Sequence, residues 1–185
     1  MQIMKIKCLI ALGVLLTATA LAPASVPASR GLDNTHAPDL PSPLCDSVDV
    51  PLGNKVTFHA YAVGLQIYRW NGTTWTFVEP VATLFSDPDY HSKVAIHYGG
   101  PTWESNGESK VVATRLTACS PDATAIPWLL LQTASTDGSG IFSSVTYVQR
   151  INTAGGLAPT APGASIGAVA EVPYAAEYYF YRAGH

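Results

Sequence analysis

Hydrophobic and polar residues alternate one by one in several segments of the chain after residue 50, and residues 128–131 form a continuous apolar run. Within residues 55–61, for example, apolar Val56, Phe58 and Ala60 are separated by Thr57 and His59. A period of two residues is typical of a β-strand, and no segment keeps the 3.6-residue period of a helix. The pattern predicts about nine or ten short strands, drawn from residues 55–61, 65–70, 74–78, 81–85, 93–98, 103–104, 110–116, 128–132, 141–151 and 173–181.

Turn-forming residues separate these strands and indicate the fold class. Asn71-Gly72 stands between two alternating segments, which favours a hairpin with a two-residue type I′ turn. Residues 153–167 are rich in Gly, Ala and Pro, and predict a longer loop. Short strands with turns between them predict an all-β fold, either an antiparallel β-sandwich or a β-barrel, and both remain open.

The first 44 residues differ in character from the rest of the chain. A short positive segment, an apolar run and Ala18-Thr19-Ala20 predict a signal peptide at residues 1–20. A later cleavage site and an uncleaved membrane anchor are the alternatives. Residues 21–44 are rich in Pro, Ala and Ser, and predict a disordered linker. We therefore expect one β domain at residues 45–185, secreted or in the lumen of the secretory pathway, with no membrane contact after signal cleavage.

Composition narrows the possible partners. Only 12% of the residues are charged and 48% are hydrophobic, with a formal net charge of -3. An average domain is about 25% charged. The sequence has no basic patch, so we expect no nucleic acid partner. A small apolar or aromatic molecule is the partner that this composition favours, and the oligomeric state stays open.

The cysteine count predicts one disulfide. Of three cysteines, Cys8 lies in the predicted signal peptide, which leaves Cys45 and Cys119. In an oxidising compartment these two form a bridge, with two separate thiols as the alternative. Closing a loop of about 75 residues contributes on the order of 4 kcal/mol through loop-closure entropy.

Residues 97–104, His-Tyr-Gly-Gly-Pro-Thr-Trp-Glu, hold the densest set of chemically capable side chains. The Gly-Gly-Pro turn can bring side chains from two extended segments together. His97 and Glu104 are therefore the candidate catalytic acid/base groups. The alternative is an ordinary turn whose aromatic residues belong to the core. The candidate substrate-binding residues are Tyr98, Trp103, Trp128, Gln132, Tyr147 and Arg150.

Common catalytic motifs are absent from the sequence. It contains no Gly-x-Ser-x-Gly elbow, no phosphate-binding loop and no His-Glu-x-x-His. Three histidines, His59, His91 and His97, would form a metal site with Glu104 only if the fold brought them together. We therefore predict no metal and no cofactor. Asn71-Gly72-Thr73 is the one glycosylation sequon, which makes Asn71 a candidate glycosylation site, with an unmodified turn as the alternative.

A family resemblance is carried by six parts of the chain: Val63-Gly64-Leu65-Gln66-Ile67-Tyr68, Ala82-Thr83-Leu84-Phe85, His97-Tyr98-Gly99-Gly100-Pro101-Thr102-Trp103-Glu104, Ile126-Pro127-Trp128-Leu129-Leu130-Leu131, Thr153-Ala154-Gly155-Gly156 with Ala158-Pro159, and Pro173-Tyr174 with Tyr178-Tyr179-Phe180-Tyr181. In order and spacing they resemble a large family of secreted proteins whose domain has no known function. Some members are labelled malate dehydrogenase, yet this chain has no dinucleotide-binding fingerprint. The resemblance covers residues 56–181.

A second resemblance is to small secreted-type proteins of fungal metabolite clusters. Those proteins catalyse hetero-Diels–Alder coupling of a tropolone quinone methide with a sesquiterpene alkene. Such a reaction needs an apolar pocket that orients two reactants, and one group for proton transfer. No single residue of this chain is matched to those proteins. For such a reaction His97 or Glu104 would transfer the proton. Stacking on a planar substrate would fall to Trp103, Trp128 and Tyr147, and Arg150 or Gln132 would hold an oxygen. We therefore predict a secretory-pathway enzyme of secondary metabolism, with a non-catalytic secreted ligand-binding or surface protein as the alternative.

Overall fold

Eight antiparallel strands form one closed barrel in the described part of the chain. The computed structural model describes residues 36–184, so the predicted signal peptide and residues 21–35 of the predicted linker lie outside it. Within that range, no helix has the length and apolar character needed to cross a membrane. The strands are β1 Asn54–Trp70, β2 Trp75–Phe85, β3 Lys93–Tyr98, β4 Thr102–Ser105, β5 Lys110–Cys119, β6 Trp128–Asp137, β7 Tyr147–Gly155 and β8 Val169–Ala183.

Each strand pairs with the next one in sequence, and β8 pairs with β1 along most of its length. The all-β prediction is confirmed, and the barrel is the form that the fold takes. Closure removes the exposed sheet edges that an open sandwich would present. It also divides every strand into residues that point into the barrel and residues that point out.

The strand count is eight because two pairs of predicted strands are continuous. Residues 55–61 and 65–70 belong to β1, and residues 74–78 and 81–85 belong to β2. Bulges in the pairing let these long strands bend around the barrel. Gly64 marks a close approach of β1 to β2, since a Cβ atom there would lie 2.2 Å from the carbonyl oxygen of Val81. Gly64 interrupts the sequence pattern, yet it lies within one continuous strand, at a position where the neighbouring backbone leaves no room for a side chain.

The predicted hairpin at Asn71 is present, but its predicted turn type is wrong. Trp70 pairs with Trp75, so the loop has four residues instead of two. In this loop only Gly72 has a positive φ, whereas a type I′ turn needs two such residues in succession. The Asn71 side-chain oxygen instead accepts hydrogen bonds from the backbone N–H groups of Thr73 and Thr74, both at 2.9 Å.

Residues 141–146 were predicted to begin a strand, and the structure corrects this. The chain turns inward there, and β7 begins only at Tyr147. Phe142 is fully buried inside the barrel, with ring centroids 4.7 Å from Phe180 and 6.4 Å from Phe58. These aromatic rings fill one end of the barrel. Alternation put Ile141 on the apolar face, whereas the turn buries Phe142 and Val145, three residues apart, and leaves Ile141 40% exposed.

A second apolar cluster lies outside the barrel wall. The segment around the 3₁₀ turn Asp46–Val48 packs Leu40, Val48 and Val50 against outward-facing residues of several strands. The Cys45–Cys119 disulfide, which confirms the predicted pair, attaches this segment to the end of β5. Such a bond is compatible with an oxidising, extracellular compartment. The outward-facing strand residues of this cluster are Val56, Cys119, Trp128, Leu130, Tyr147, Ile151, Tyr179 and Tyr181.

Candidate ligand-binding site

A cavity of about 340 Å³ lies inside the barrel, at the end opposite Phe142. Its walls come from the end of β1, the start of β2, the β3–β4 turn, and residues just before β6. In a barrel whose strands alternate in direction, these segments all meet at one end. The lining residues are Gln66, Tyr68, Phe77, Pro80, His97, Pro101, Trp103, Arg115, Ile126, Pro127, Leu129, Leu131, Arg150 and Tyr178.

Small residues face inward on β1 and β2 beside the cavity-lining residues. Ala60 and Ala62 face inward on β1, and Ala82 faces inward on β2. Further along the same face of β1 lie Gln66 and Tyr68, both at the cavity. Gln66 is 3% exposed, and its Nε2 has no acceptor within hydrogen-bond distance, although its amide is close enough to the Tyr174 hydroxyl to oppose the rise in the pKa of that phenol. Gln66 was not among the predicted site residues, although a polar side chain in line with small buried residues was a readable signal.

His97 is held neutral inside the barrel. Its Nδ1–H donates to the Thr102 carbonyl oxygen at 2.8 Å, since a carbonyl can only accept. Burial lowers the pKa of His97 to about 3, the bond to Thr102 opposes this shift, and the charge of Arg150 adds to it. Among the described residues nothing binds the ring's Nε2. That atom is therefore a hydrogen-bond acceptor open to a ligand in the cavity.

The indole of Trp103 stacks against the imidazole of His97. The two rings stack with centroids 4.3 Å apart, and Tyr178 meets Trp103 edge-on at 5.5 Å. The indole is 1% exposed, and its Nε1–H has no hydrogen-bond partner. A buried indole N–H normally finds an acceptor. Trp103 therefore provides both an aromatic surface and an unused donor.

Arg150 is the buried cation of the cavity. It is 9% exposed, and its Nε and Nη2 donate to the Pro127 carbonyl oxygen at 3.2 and 2.8 Å. A guanidinium carries five N–H donors, so three are left unused. The ion pairs of the described residues do not include Arg150. A second arginine, Arg115, lies at the cavity with its side chain exposed, and no lining residue is acidic.

Tyrosine hydroxyls complete the polar groups near the cavity. Tyr68 donates to the Gly156 carbonyl oxygen at 2.7 Å, and the hydroxyls of Tyr174 and Tyr178 lie 3.4 Å apart. Burial raises the pKa of Tyr68 and of Tyr174, so both phenols stay protonated at neutral pH. These tyrosines were not among the predicted site residues.

The predicted catalytic pair is divided by the barrel wall. His97 pairs with Trp103 across β3 and β4 and points inward, whereas Glu104 points outward. Glu104 accepts a hydrogen bond from the Tyr98 hydroxyl at 2.7 Å and lies 3.9 Å from the Lys110 ammonium. Consecutive strand residues face opposite sides. Glu104 and Tyr98 therefore do not reach the cavity.

Three further predicted site residues also lie away from the cavity. Trp128 and Tyr147 belong to the outer cluster beside the disulfide, and Gln132 is exposed. Of the eight residues predicted for catalysis or substrate binding, the cavity brings together His97, Trp103 and Arg150.

The histidines considered as metal ligands do not converge. His59 lies 2.8 Å from the Glu177 carboxylate on the outer face, stacked against Tyr179. His91 lies in an exposed turn beside Asp87, and His97 lies inside the barrel. The three histidines share no ligand set, although the ligand atoms of His91, Asp87 and Asp89 lie within 4.8 Å of one another in that exposed turn.

Comparison with known proteins gives a family but no function. Neither a curated protein nor a solved structure matches the chain. One family matches over residues 51–182, a range that includes every residue lining the cavity. The match confirms the resemblance to a family whose domain has no known function. The chain therefore belongs to the family described as "Protein of unknown function (DUF3455)".

Proposed function

We propose that this protein binds one small, largely apolar molecule inside its barrel. The observation that carries the proposal is a cavity with apolar walls and buried polar groups, at Gln66 and Trp103, that no protein atom satisfies. Barrels of eight strands are wide enough to enclose one small ligand. The volume of about 340 Å³ lies at the lower end of the roughly 300–1,000 Å³ typical of ligand pockets. One molecule therefore suits the cavity better than two.

Binding inside the barrel is tested by narrowing the cavity. Leu129 lines it and is half-buried, so Leu129→Phe should reduce the space for a ligand. Leu52, which is fully exposed, provides the matched control Leu52→Phe. Native mass spectrometry of the protein secreted by its own host should show a retained small molecule in the wild type and in Leu52→Phe. Equal retention by Leu129→Phe would place the molecule elsewhere and contradict the proposal.

The second candidate is a cofactor-independent enzyme of secondary metabolism, including hetero-Diels–Alder coupling. The observation in its favour is the unused Nε2 of His97, inside an aromatic cavity that also holds Arg150. A pKa near 3 makes His97 a weak base, because an efficient proton acceptor titrates near the working pH. This candidate predicts adduct formation from a tropolone quinone methide precursor and a sesquiterpene alkene. It also predicts that His97→Ala abolishes turnover while leaving the melting temperature within a few degrees.

We further propose that the protein is secreted and carries a glycan on Asn71. The disulfide and the exposed position of Asn71 in a hairpin loop support this. Deglycosylation should lower the mass of the secreted wild type. Deglycosylation should leave the mass of Asn71→Gln unchanged. A wild-type mass that deglycosylation does not change would contradict the glycan.

A further inference from the structure

Three buried hydrogen-bond donors without a sufficient protein acceptor line one cavity. Nε2 of Gln66 and Nε1 of Trp103 are buried, and neither has an acceptor within hydrogen-bond distance. Arg150 is nine-tenths buried and uses only two of its five N–H groups, both on the Pro127 carbonyl oxygen. Buried donors are almost always paired in native proteins. Two unpaired donors and one partly used guanidinium around one cavity indicate a missing acceptor.

The charge of Arg150 is also unmatched. No lining residue is acidic, and the only other charged side chain there is that of Arg115, which is exposed and also positive. Glu104, the acid nearest in sequence to the lining residue Trp103, points out of the barrel and contacts Tyr98 and Lys110. A buried cation without a counter-charge is costly for a protein. An anionic ligand group would remove that cost.

The chemical form of the acceptor follows from the donors. A guanidinium is planar and presents paired N–H groups that match the two oxygens of a carboxylate. The amide of Gln66 and the indole of Trp103 each donate one further bond. His97 takes no part in holding an anion, because its Nδ1–H is used by Thr102 and its Nε2 only accepts.

We propose that the ligand is an apolar molecule with one carboxylate, which binds to Arg150 and accepts hydrogen bonds from Gln66 and Trp103. This inference rests on the proposed function, since it names the class of molecule that the cavity takes. The apolar part of the ligand lies against aromatic and aliphatic residues such as Phe77, Leu129 and Tyr178.

The test compares two probes of nearly equal shape and different charge. At pH 7, 2-naphthoate is an anion, because its carboxyl group titrates in the range of a glutamate, whereas 2-naphthamide is neutral. Equilibrium dialysis gives the dissociation constant of each. For the wild type we expect tighter binding of 2-naphthoate by about tenfold or more, as charge-assisted hydrogen bonds replace neutral ones.

Substitution of Arg150 tests whether this residue causes the preference for 2-naphthoate. Arg150→Gln removes the charge and keeps an N–H that can donate to Pro127, so the ratio of the two dissociation constants should fall to near one. The matched control is Arg182→Gln, an exposed arginine of β8 at the other end of the barrel, which should leave the ratio unchanged.

The outcomes separate this inference from the proposed function. Binding of both probes with similar affinity to the wild type would overturn the carboxylate inference and leave ligand binding standing. A naphthoate preference that persists in Arg150→Gln would overturn the assignment to Arg150. Failure of both probes to bind would contradict the proposed function and this inference together. The wild-type ratio does not depend on how any variant folds.

Discussion

The imidazole of His97 lies parallel to the indole of Trp103, with ring centroids 4.3 Å apart and 5° between the planes. The two residues are direct partners across β3 and β4, so the hairpin that carries them also sets the stack. Tyr178 closes the group with edge contacts to both rings. No carboxylate accompanies the imidazole, and its only hydrogen bond among the described residues is to the Thr102 carbonyl oxygen. The arrangement stabilises the neutral form of the His97 imidazole, so protonation of this ring at low pH should destabilise the fold.

The free energy of unfolding should fall as the pH drops from about 6.5 to about 3, in part because of His97. Burial lowers its pKa to about 3 in the folded state, against an ordinary value of 6.5. Between these values the unfolded chain binds a proton that the folded chain does not, so acid favours unfolding. The contribution lost across this window is on the order of 4–5 kcal/mol for a shift of this size. Urea unfolding at pH 7 and pH 4 measures the part lost above pH 4, which is roughly 3 kcal/mol.

A non-titrating replacement isolates the part due to His97. Asparagine can still donate to the Thr102 carbonyl, so His97→Asn should show a flatter dependence on pH than the wild type. His91→Asn, at an exposed histidine, should follow the wild type. Equal slopes for His97→Asn and the wild type would mean that His97 is not held neutral.

Phe142→Ala should open the closed end of the barrel and destabilise the fold. The ring is fully buried and contacts Phe58 and Phe180. Truncating a buried phenylalanine costs about 3–5 kcal/mol, because transfer and cavity terms add. The neighbouring Ile141 is 40% exposed, so Ile141→Ala should cost less than about 1 kcal/mol. Similar losses for both variants, measured by urea unfolding, would contradict the inward position of Phe142.

Gly64→Ala should be poorly tolerated, since backbone atoms of β2 occupy the space of the new methyl group. A Cβ atom there would lie 2.2 Å from the Val81 carbonyl oxygen and 2.5 Å from the Ala82 Cα. We expect a loss on the order of 2–3 kcal/mol from overpacking. Gly107→Ala is the control, because its Cβ would find only Ser105 Oγ at 3.8 Å. Thermal unfolding of both variants gives the comparison, and a stable Gly64→Ala would disprove this close approach.

Removal of the disulfide should destabilise the protein. The segment around Asp46–Val48, which packs on the outside of the barrel, should detach first. Cys45 and Cys119 are 74 residues apart, so replacing both by alanine should cost about 4 kcal/mol in loop-closure entropy. Trp128 lies in the same outer cluster, so its fluorescence should shift toward that of an exposed indole. A loss below about 1 kcal/mol, with unchanged fluorescence, would show that packing alone holds the segment.

Part of the fold and of the site could be predicted from local pattern. Alternation identified the strands because every second side chain shares a face. The Gly-Gly-Pro turn joins β3 to β4 as expected. Alternation also predicted that His97 and Tyr98 point to opposite faces of β3. The even number of cysteines after Cys8 was enough to predict the bond that the structure contains. These features depend on neighbours in sequence or on simple counting.

Only the tertiary structure decided which face of each strand is enclosed. Trp103 and Trp128 are equally aromatic and both buried, yet Trp103 lines the cavity while Trp128 lies under the N-terminal segment outside the barrel. Two-residue periodicity defines two faces but does not say which one closure turns inward. For the same reason Gln66 was not predicted as a site residue. Its proposed role depends on the lack of a hydrogen-bond acceptor for its Nε2 in the folded protein. The sequence by itself determined strands, a disulfide and a reactive hairpin; long-range closure determined which of their side chains share a cavity.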